Sequence, residues 1–289
     1  MNFCLKNAQL TATLNAHGAE LCSLIDQEGT QYIWTADPTY WARHTPILFP
    51  LVGKLVGNAY TYEGNTYALG AHGFARDRVF EVVDQSETSI TFQLTSDAES
   101  LKVYPFAFAL YVSYTLVDKT LQIGYKVDNT DTKEIGFKLG AHPGFRCPLS
   151  EGESFQDYVL SLEKEETPTF LPITPDVYLT GEQTTYLTQH TPVTHKLFEK
   201  GALILTDYTS TWMALRSTKS SKGIRIGFEG FPYLGIWSPE NNPSPFLCIE
   251  PWMSLPDAVD APHALMEKES VIKLPIGETF SCMHSMTIL

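Results

Sequence analysis

Two short segments of this chain each carry an ionisable side chain beside a proline at the end of a strand-like run. Residues 136–146 read GFKLGAHPGFR and contain His142, and residues 246–252 read FLCIEPW and contain Glu250. Proline restricts the backbone of the residue before it, so both side chains should have well-defined directions. An imidazole and a carboxylate at strand ends could each take or give a proton, which predicts general acid/base chemistry.

A third segment has a similar design. Residues 70–77, GAHGFARD, place His72 in a turn after strand-like sequence, with glycines that would let a ligand approach the backbone closely. A turn histidine that only satisfies a nearby carbonyl is the plain alternative for both His72 and His142. Glu250, in a setting that matches that of His142, favours the chemical interpretation.

Cations flank a proline-rich segment upstream. Residues 41–54, WARHTPILFPLVGK, contain too many prolines for a central strand, and an apolar loop of this kind often lines a site. Arg43, His44 and Lys54 lie along it. They are either solvated or available to bind a sugar hydroxyl or a phosphate.

The elements that must position these residues are mostly short strands. Alternating or apolar runs separated by turn residues predict hairpins at 57–69, 79–94 and 106–129, and further strands between 202 and 289. Helix signals are limited to a turn within 97–103 and a helix over 257–268. Residues 148–192 show no pattern that predicts a particular strand or helix. This pattern predicts an all-β protein, a large antiparallel β-sandwich, forming a single domain over residues 1–289.

Composition excludes several classes of protein. The formal net charge of −13 opposes binding to nucleic acid and to anionic membranes. No apolar run approaches the ~20 residues of a membrane span, and the N-terminus lacks the pattern of a secretory signal. The five cysteines show no Cys-x-x-Cys spacing, which predicts a cytoplasmic protein without a disulfide framework or a zinc site.

Five motifs occur in a fixed order along the chain. They are Arg43-x-x-Pro46-Ile-Leu-Phe-Pro50-x-x-Gly53-Lys54, His72-Gly-Phe-Ala-Arg76-Asp77, Gly140-Ala-His142-Pro-Gly-Phe145, Gly230-Phe-Pro-Tyr233-Leu-Gly-Ile-Trp237 and Ile249-Glu250-Pro-Trp252. Each motif alone is weak, but together the sequence resembles the aldose 1-epimerase (galactose mutarotase) family over nearly its whole length. The resemblance is closest to the LacX-type branch of lactic acid bacteria. It implies a galactose mutarotase-like supersandwich fold.

The resemblance also implies roles for individual residues. His142 corresponds to the catalytic acid of the family and Glu250 to its catalytic base. His72 corresponds to a histidine that binds sugar hydroxyls. The other residues expected to bind substrate are the cations Arg43, Lys54 and Arg76, the last at a position that helps to hold phosphate in the hexose-6-phosphate branch, and the aromatic residues Phe145, Tyr233 and Trp237.

The sequence departs from the family pattern at one position. Family members usually carry a hydroxyl-binding aspartate near residues 197–203, where this chain has Gly201. Glu199 and Asp207 are the nearby carboxylates that could replace it. The identity of the sugar therefore stays open.

The implied reaction interconverts the α and β anomers of a hexose. It removes the proton of the anomeric hydroxyl, protonates the ring oxygen, opens the ring and closes it again, without metal or cofactor. We therefore expect His142 and Glu250 to face one another across a single open pocket, roughly 5 to 8 Å apart, with His72 on its rim. The expected partner is a small sugar, and a homodimer is compatible with the sequence.

Three alternatives remain at this stage. The chain could be a hexose-6-phosphate mutarotase or a non-catalytic carbohydrate-binding protein. It could also be a glycoside hydrolase, which would need a second carboxylate beside Glu250, and only Asp77, Glu229 and Asp257 are candidates.

Overall fold

The computed structural model describes residues 1–174, 176–180, 188–240 and 242–289, and β-strands dominate it. In chain order the strands are β1 (Asn2–Lys6), β2 (Leu10–Asn15), β3 (Glu20–Asp26), β4 (Ile47–Leu48), β5 (Ala59–Tyr62), β6 (Asn65–Ala68), β7 (Glu81–Gln85), β8 (Ser89–Thr95), β9 (Phe108–Val117), β10 (Thr120–Asn129), β11 (Ile135–Phe137), β12 (Gly140–Ala141), β13 (Gly144–Arg146), β14 (Tyr158–Leu162), β15 (Thr169–Leu171), β16 (His190–Pro192), β17 (Leu203–Thr206), β18 (Trp212–Ser217), β19 (Gly223–Gly227), β20 (Tyr233–Trp237), β21 (Phe246–Trp252), β22 (Ile272–Leu274) and β23 (Thr279–Ile288).

Two antiparallel sheets form the body of the sandwich. The larger has nine strands in the order β16-β14-β18-β19-β23-β10-β9-β8-β7. The second has the order β15-β17-β20-β21-β12-β4, with β13 also paired to β21. Both sheets contribute to one large cluster of buried apolar side chains, which includes Ile123 from the first and Ile249 from the second. The expected all-β class and antiparallel sandwich are confirmed.

The β9–β10 hairpin shows why the strands form where they do. In β10 every second side chain is buried, so Leu121, Ile123 and Val127 face the core while the residues between them are more exposed. This period of two fits a strand with one buried face. Asp118 has a positive φ of 49° in the connecting turn. The hairpin confirms the prediction for residues 106–129.

Helical structure is scarce in the described residues. The only α-helical segment among them is α1 (Ser100–Val103). Asp97 Oδ1 accepts a hydrogen bond of 2.7 Å from the backbone N–H of Ser100, the first residue of this segment. The other segments are 3₁₀ turns at Val56–Asn58, Ala75–Asp77, Phe155–Asp157, His195–Phe198 and Leu265–Glu267. The predicted turn within 97–103 is confirmed.

The predicted helix over residues 257–268 is wrong. Only the 3₁₀ turn Leu265–Glu267 forms there. Asp257 is instead buried and accepts a hydrogen bond of 3.1 Å from the backbone N–H of Val56. Proline at position 262 also prevents a continuous helix. The segment is held by tertiary contacts, which override its weak helical pattern.

The unassigned region 148–192 contains β14, β15 and β16 within the sheets. Residues 175 and 181–187 of this region lie outside the described residues. No helix in the described part of the chain has the length and apolar character needed to cross a membrane.

Candidate active site

The strand register places His142 directly opposite Glu250. Gly140 pairs with Trp252 and Gly144 pairs with Cys248, so the two strands β12 and β13 bracket His142 on one side of β21. Directly opposite residues of an antiparallel pair lie closest to one another. The two proline-flanked segments of the sequence are therefore neighbours in one sheet.

The two side chains touch each other. His142 Nε2 lies 3.3 Å from Glu250 Oε2, and the side chains are 11% and 1% exposed. The expected arrangement across an open pocket, roughly 5 to 8 Å apart, is wrong. The reason is the register, which makes the residues cross-strand neighbours rather than the ends of two strands facing each other. A substrate would therefore lie over the pair and not between its members.

A stack of aromatic rings covers one side of His142. The Trp41 ring lies 4.9 Å from the His142 ring at an interplanar angle of 28°, and Phe246 lies 5.6 Å behind Trp41 at 10°. Trp34 continues the stack, 4.5 Å from Phe246. Trp237 meets His142 edge-on at 5.8 Å. These rings exclude water from the imidazole.

Burial sets the protonation of the pair. Desolvation raises the pKa of Glu250 well above its usual range, opposed in part by the nearby Trp252 side chain. Desolvation, with smaller repulsion from Arg76 and Arg43, lowers the pKa of His142 to about 3. Both shifts favour the neutral forms, a carboxylic acid at Glu250 and an uncharged imidazole at His142.

Two polar atoms of the pair have no partner. Glu250 Oε2 and His142 Nδ1 are buried without a hydrogen bond in the part of the chain that the structure describes. Unsatisfied buried polar atoms are uncommon and costly, and they concentrate at functional sites. The close polar neighbour that the structure gives Glu250 Oε2 is His142 Nε2, at 3.3 Å.

The second histidine has a defined tautomer. His72 Nδ1 accepts a hydrogen bond of 3.2 Å from the Gly53 backbone N–H, and the His72 backbone N–H donates to Gly53 O at 2.8 Å. Burial, then the charges around it, holds the pKa of His72 well below its usual value. The neutral ring therefore carries its proton on Nε2 and is a hydrogen-bond donor there. Its ring centre lies 5.5 Å from that of His142.

Asp77 occupies the space between two of the predicted cations. Its Oδ1 accepts a hydrogen bond of 2.9 Å from Arg43 Nη2, and its Oδ2 lies 3.7 Å from Arg76 Nε. Arg76 Nη2 also donates to Ala71 O at 2.7 Å. Lys54 is half-buried, and its charge contributes to the lowered pKa of His72. All three cations lie near enough to His72 to lower its pKa, and Asp77 partly neutralises Arg43 and Arg76.

The structure places the three aromatic residues that were predicted to bind substrate in two different environments. Trp237 contacts His142, as described above, and Tyr233 is half-buried on the same strand, β20. Phe145 is fully buried in the main core, paired with Leu247. Phe145 therefore packs the core and does not present a face to a sugar, which corrects the expectation for this residue. Its side chain points inward because β13 alternates across the sheet.

Side chains from two other segments lie next to Gly201, the position of the missing aspartate. Gly201 has a φ of 96°, and a Cβ built on it would lie 3.2 Å from Glu240 Oε1. Glu240 follows β20 and was not singled out by the sequence. Glu199 ends a 3₁₀ turn and is exposed, and Asp207 has a positive φ of 57°. Ile173 lies equally close to Gly201, at 3.1 Å from the same Cβ position, and Glu240 is exposed, so this contact gives Glu240 no defined role.

Asp257 lies in a buried ionic cluster with Lys138 and Lys268. Asp257 Oδ2 accepts a hydrogen bond of 2.6 Å from Lys268 Nζ, and its Oδ1 lies 3.6 Å from Lys138 Nζ. The Asp257 backbone N–H donates to Lys54 O. Lys138 lies four positions before His142, and burial lowers its pKa to about 8. Because Asp257 is bound in this cluster, it is not the second carboxylate of a glycoside hydrolase.

Sequence reasoning missed Trp41, Phe246 and Cys248. Cys248 lies two residues before Glu250 on β21, and ligand atoms of His142, Cys248 and Glu250 lie within 4.8 Å of one another. Trp41 lies beside Arg43, and its aromatic character within a proline-rich loop was the signal that could have pointed to it.

Comparisons with known proteins identify the family and the fold of the chain. The chain matches the model of the family described as aldose 1-epimerase over residues 1–273. It is 35% identical to protein LacX (chromosomal) of Lactococcus lactis subsp. lactis, across 99% of this chain and 98% of that protein. The crystal structure of a galactose mutarotase related enzyme from Lactobacillus acidophilus superposes with a TM-score of 0.97, at 33% identity, covering 100% of this chain and 97% of that one. A galactose mutarotase-like protein from Lactobacillus casei ATCC 334 gives a TM-score of 0.94 at 35% identity, with 100% of both chains covered. The chain therefore belongs to the aldose 1-epimerase family.

Proposed function

We propose that residues 1–289 form one catalytic domain that interconverts the α and β anomers of an unphosphorylated hexose. The observation that carries the proposal is the buried contact of 3.3 Å between His142 Nε2 and Glu250 Oε2. Family membership supports the general reaction. An acid and a base in contact suit it, because the anomeric hydroxyl and the ring oxygen are attached to the same carbon.

The reactive form of the pair is the ion pair, in which the exchangeable proton has moved from the carboxyl group of Glu250 to the imidazole of His142 across their contact of 3.3 Å. Glu250 removes the proton of the anomeric hydroxyl while His142 donates a proton to the ring oxygen, and the bond between C1 and the ring oxygen breaks. The open-chain aldehyde turns its face and the ring closes, with His142 now the base and Glu250 the acid. Burial opposes formation of this ion pair from the two neutral groups, and the attraction between the opposite charges at 3.3 Å offsets part of that cost.

The remaining residues bind and orient the sugar. His72 Nε2–H donates a hydrogen bond to a ring hydroxyl, since its Nδ1 is already bonded to Gly53. Trp41 and Trp237 present apolar faces beside His142. Arg43 donates a hydrogen bond to Asp77, which holds its guanidinium group toward that carboxylate. We therefore prefer a neutral sugar as the substrate.

A second candidate substrate is a hexose 6-phosphate. Arg43, Arg76 and Lys54 all lie near enough to His72 to lower its pKa. Three converging cations are a suitable site for a phosphate, and arginine binds it in a bidentate manner. Asp77 is the group that opposes this function.

Polarimetry tests both candidates. The enzyme should accelerate the change in optical rotation of freshly dissolved α-glucose or α-galactose, and the rate should exceed that with the 6-phosphates. No acceleration with any of these sugars would contradict the reaction and favour a binding protein. A kcat/KM more than about tenfold higher for a 6-phosphate, about 1.4 kcal/mol, and weakening with salt would contradict the neutral substrate.

Asp77→Asn provides a matched variant for the substrate question. It should release Arg43 and raise kcat/KM for a 6-phosphate, with little change for the free hexose. An unchanged ratio of the two values would show that Asp77 does not determine the discrimination.

A further inference from the structure

A second group of ionisable side chains lies outside the candidate active site. Glu20 and Cys22 are two residues apart on β3, where they share the face opposite to that of Leu21, which is fully buried. A period of two along a strand produces this arrangement. His44 approaches the same face from the segment before β4. Ligand atoms of Glu20, Cys22 and His44 all lie within 4.8 Å of one another.

We propose that Glu20, Cys22 and His44 bind a thiophilic divalent cation such as Zn²⁺. The three residues offer one oxygen, one sulfur and one nitrogen, which is a ligand set suited to zinc and unsuited to Mg²⁺ or Ca²⁺. The fourth position of a tetrahedral site would be taken by water, since all three residues are partly exposed. This inference does not depend on the proposed epimerase reaction.

The carboxylate is already oriented for this role. Glu20 Oε1 accepts backbone hydrogen bonds from His44 at 2.8 Å and Thr45 at 3.1 Å, which fixes the group and leaves Oε2 toward the imidazole. Glu20 Oε2 lies 3.5 Å from His44 Nδ1. Tetrahedral zinc with bond lengths of about 2.0 to 2.3 Å places its ligand atoms roughly 3.3 to 3.8 Å apart. The oxygen and nitrogen are thus at coordination spacing.

The imidazole nitrogen also lacks another partner. His44 Nδ1 is buried and makes no hydrogen bond with any residue that the structure describes. The Cys22 thiol donates only a weak contact to Glu20 O at 3.5 Å. On binding, a metal–sulfur bond replaces the S–H bond and the proton leaves to solvent. The cysteine spacing gave no signal of this site, because the ligands come from a strand and a separate loop.

The ion would join β3 to the segment that carries Trp41 and Arg43. Because the unfolded chain does not hold the three ligands together, binding should stabilise the folded protein. The trio of His142, Cys248 and Glu250 offers the same ligand types, but its residues are 9%, 0% and 1% exposed. A cation reaches the first group more easily.

Metal titration of the full, chelator-treated protein tests the proposal. Co²⁺, followed by its sulfur-to-metal charge-transfer absorption, and Zn²⁺, followed by competition with a chromophoric chelator, should each bind with one equivalent. Zn²⁺ should also raise the thermal midpoint. Cys22→Ala and His44→Asn should each weaken binding at least about 100-fold, beyond the 10- to 100-fold typical of a lost supporting contact.

Cys248→Ala and Cys4→Ala are the matched controls, and both should retain binding. The proposal is overturned if the wild type binds no Co²⁺ or Zn²⁺, or if loss of Cys22 leaves binding intact. It is also overturned if Cys248→Ala alone abolishes binding, because the ion would then occupy the candidate active site. If Cys22→Ala fails to fold, Cys22→Ser replaces it as the variant that should lose metal binding. The thermal midpoint of the wild type, measured with and without chelator, tests the same point.

Discussion

The described part of the chain contains two glutamate–histidine pairs of nearly equal separation and opposite character. Glu20 Oε2 lies 3.5 Å from His44 Nδ1, and Glu250 Oε2 lies 3.3 Å from His142 Nε2. The side chains of the first pair are 18% and 23% exposed, and those of the second are 1% and 11% exposed. Distance alone therefore does not distinguish them.

The hydrogen bonds to the carboxylate distinguish them. Burial acts to raise the pKa of Glu20, but His44 and the backbone N–H groups of His44 and Thr45 outweigh it, so the net shift is downward. Glu250 lacks such backbone donors, and desolvation raises its pKa. A carboxylate that is stabilised as an anion is a poor proton carrier at neutral pH, whereas a carboxyl group held neutral by burial can give and take a proton.

The largest expected effect is on catalysis by Glu250→Gln. The variant removes the proton-carrying group with little change in shape and should lower kcat by about 10² to 10⁴. Glu20→Gln should lower it less than about tenfold. Polarimetric rates on α-glucose or α-galactose, with chelator present for both, measure the difference. Equal losses for the two variants would show that the pairs do not differ in the way described.

His142→Asn should produce a similar loss of about 10² to 10⁴ in kcat. His44→Asn is the matched control on the other pair and should have a much smaller effect, because His44 lies outside the aromatic stack. Circular dichroism should confirm that both variants fold. Wild-type mutarotation by a folded His142→Asn protein would remove this residue from the mechanism.

Stability should change in opposite directions for the two glutamates. The folded pKa of Glu20 is lowered, so its contribution is present above an unfolded pKa near 4.3 and is lost as pH falls. Glu20→Gln should therefore destabilise the protein at pH 7 by about 1 kcal/mol, the difference between charged and neutral hydrogen bonds.

The pKa of Glu250 is raised in the folded protein. Its contribution to stability is therefore fully present below an unfolded pKa near 4.3 and is lost as pH rises toward the folded pKa. Glu250→Gln removes this dependence and should stabilise the protein relative to wild type, increasingly with pH, by about 1.4 kcal/mol per unit of pKa shift. Urea unfolding at several pH values measures both variants. If Glu20→Gln and Glu250→Gln changed the free energy of unfolding in the same direction at pH 7, the assigned pKa shifts would be wrong.

The smallest expected effect concerns the water-excluding stack. Trp41→Ala should hydrate the His142 ring and raise its pKa from about 3 toward the usual value by about one unit or more. NMR titration of the imidazole ring measures this change. Trp34→Phe should leave the titration unaltered, because Phe246 and Trp41 separate that residue from His142. An unmoved pKa in the Trp41 variant would show that other groups desolvate the histidine.

The sequence predicted the strands well where one face is buried. The alternating pattern of β9 and β10 needed no knowledge of partners, and the proline-flanked motifs pointed to His142 and Glu250, which the structure brings into contact. It could not predict their contact, because that depends on which strands pair and in which register. The core position of Phe145 and the fate of residues 257–268 were missed for a related reason, since both depend on distant residues such as Leu247 and Val56.

The cross-strand placement of His142 and Glu250 ties the chemistry to the alignment of β21 with its neighbours. A slip of one residue would move Glu250 to the opposite face of the sheet and exchange it with Ile249, a core residue. A slipped strand would thus bury a carboxylate in the main core and place an apolar side chain against His142. The same mismatch that abolishes the site also unfolds the sheet, so insertions and deletions in residues 238–245 should be tolerated only when they leave this alignment unchanged.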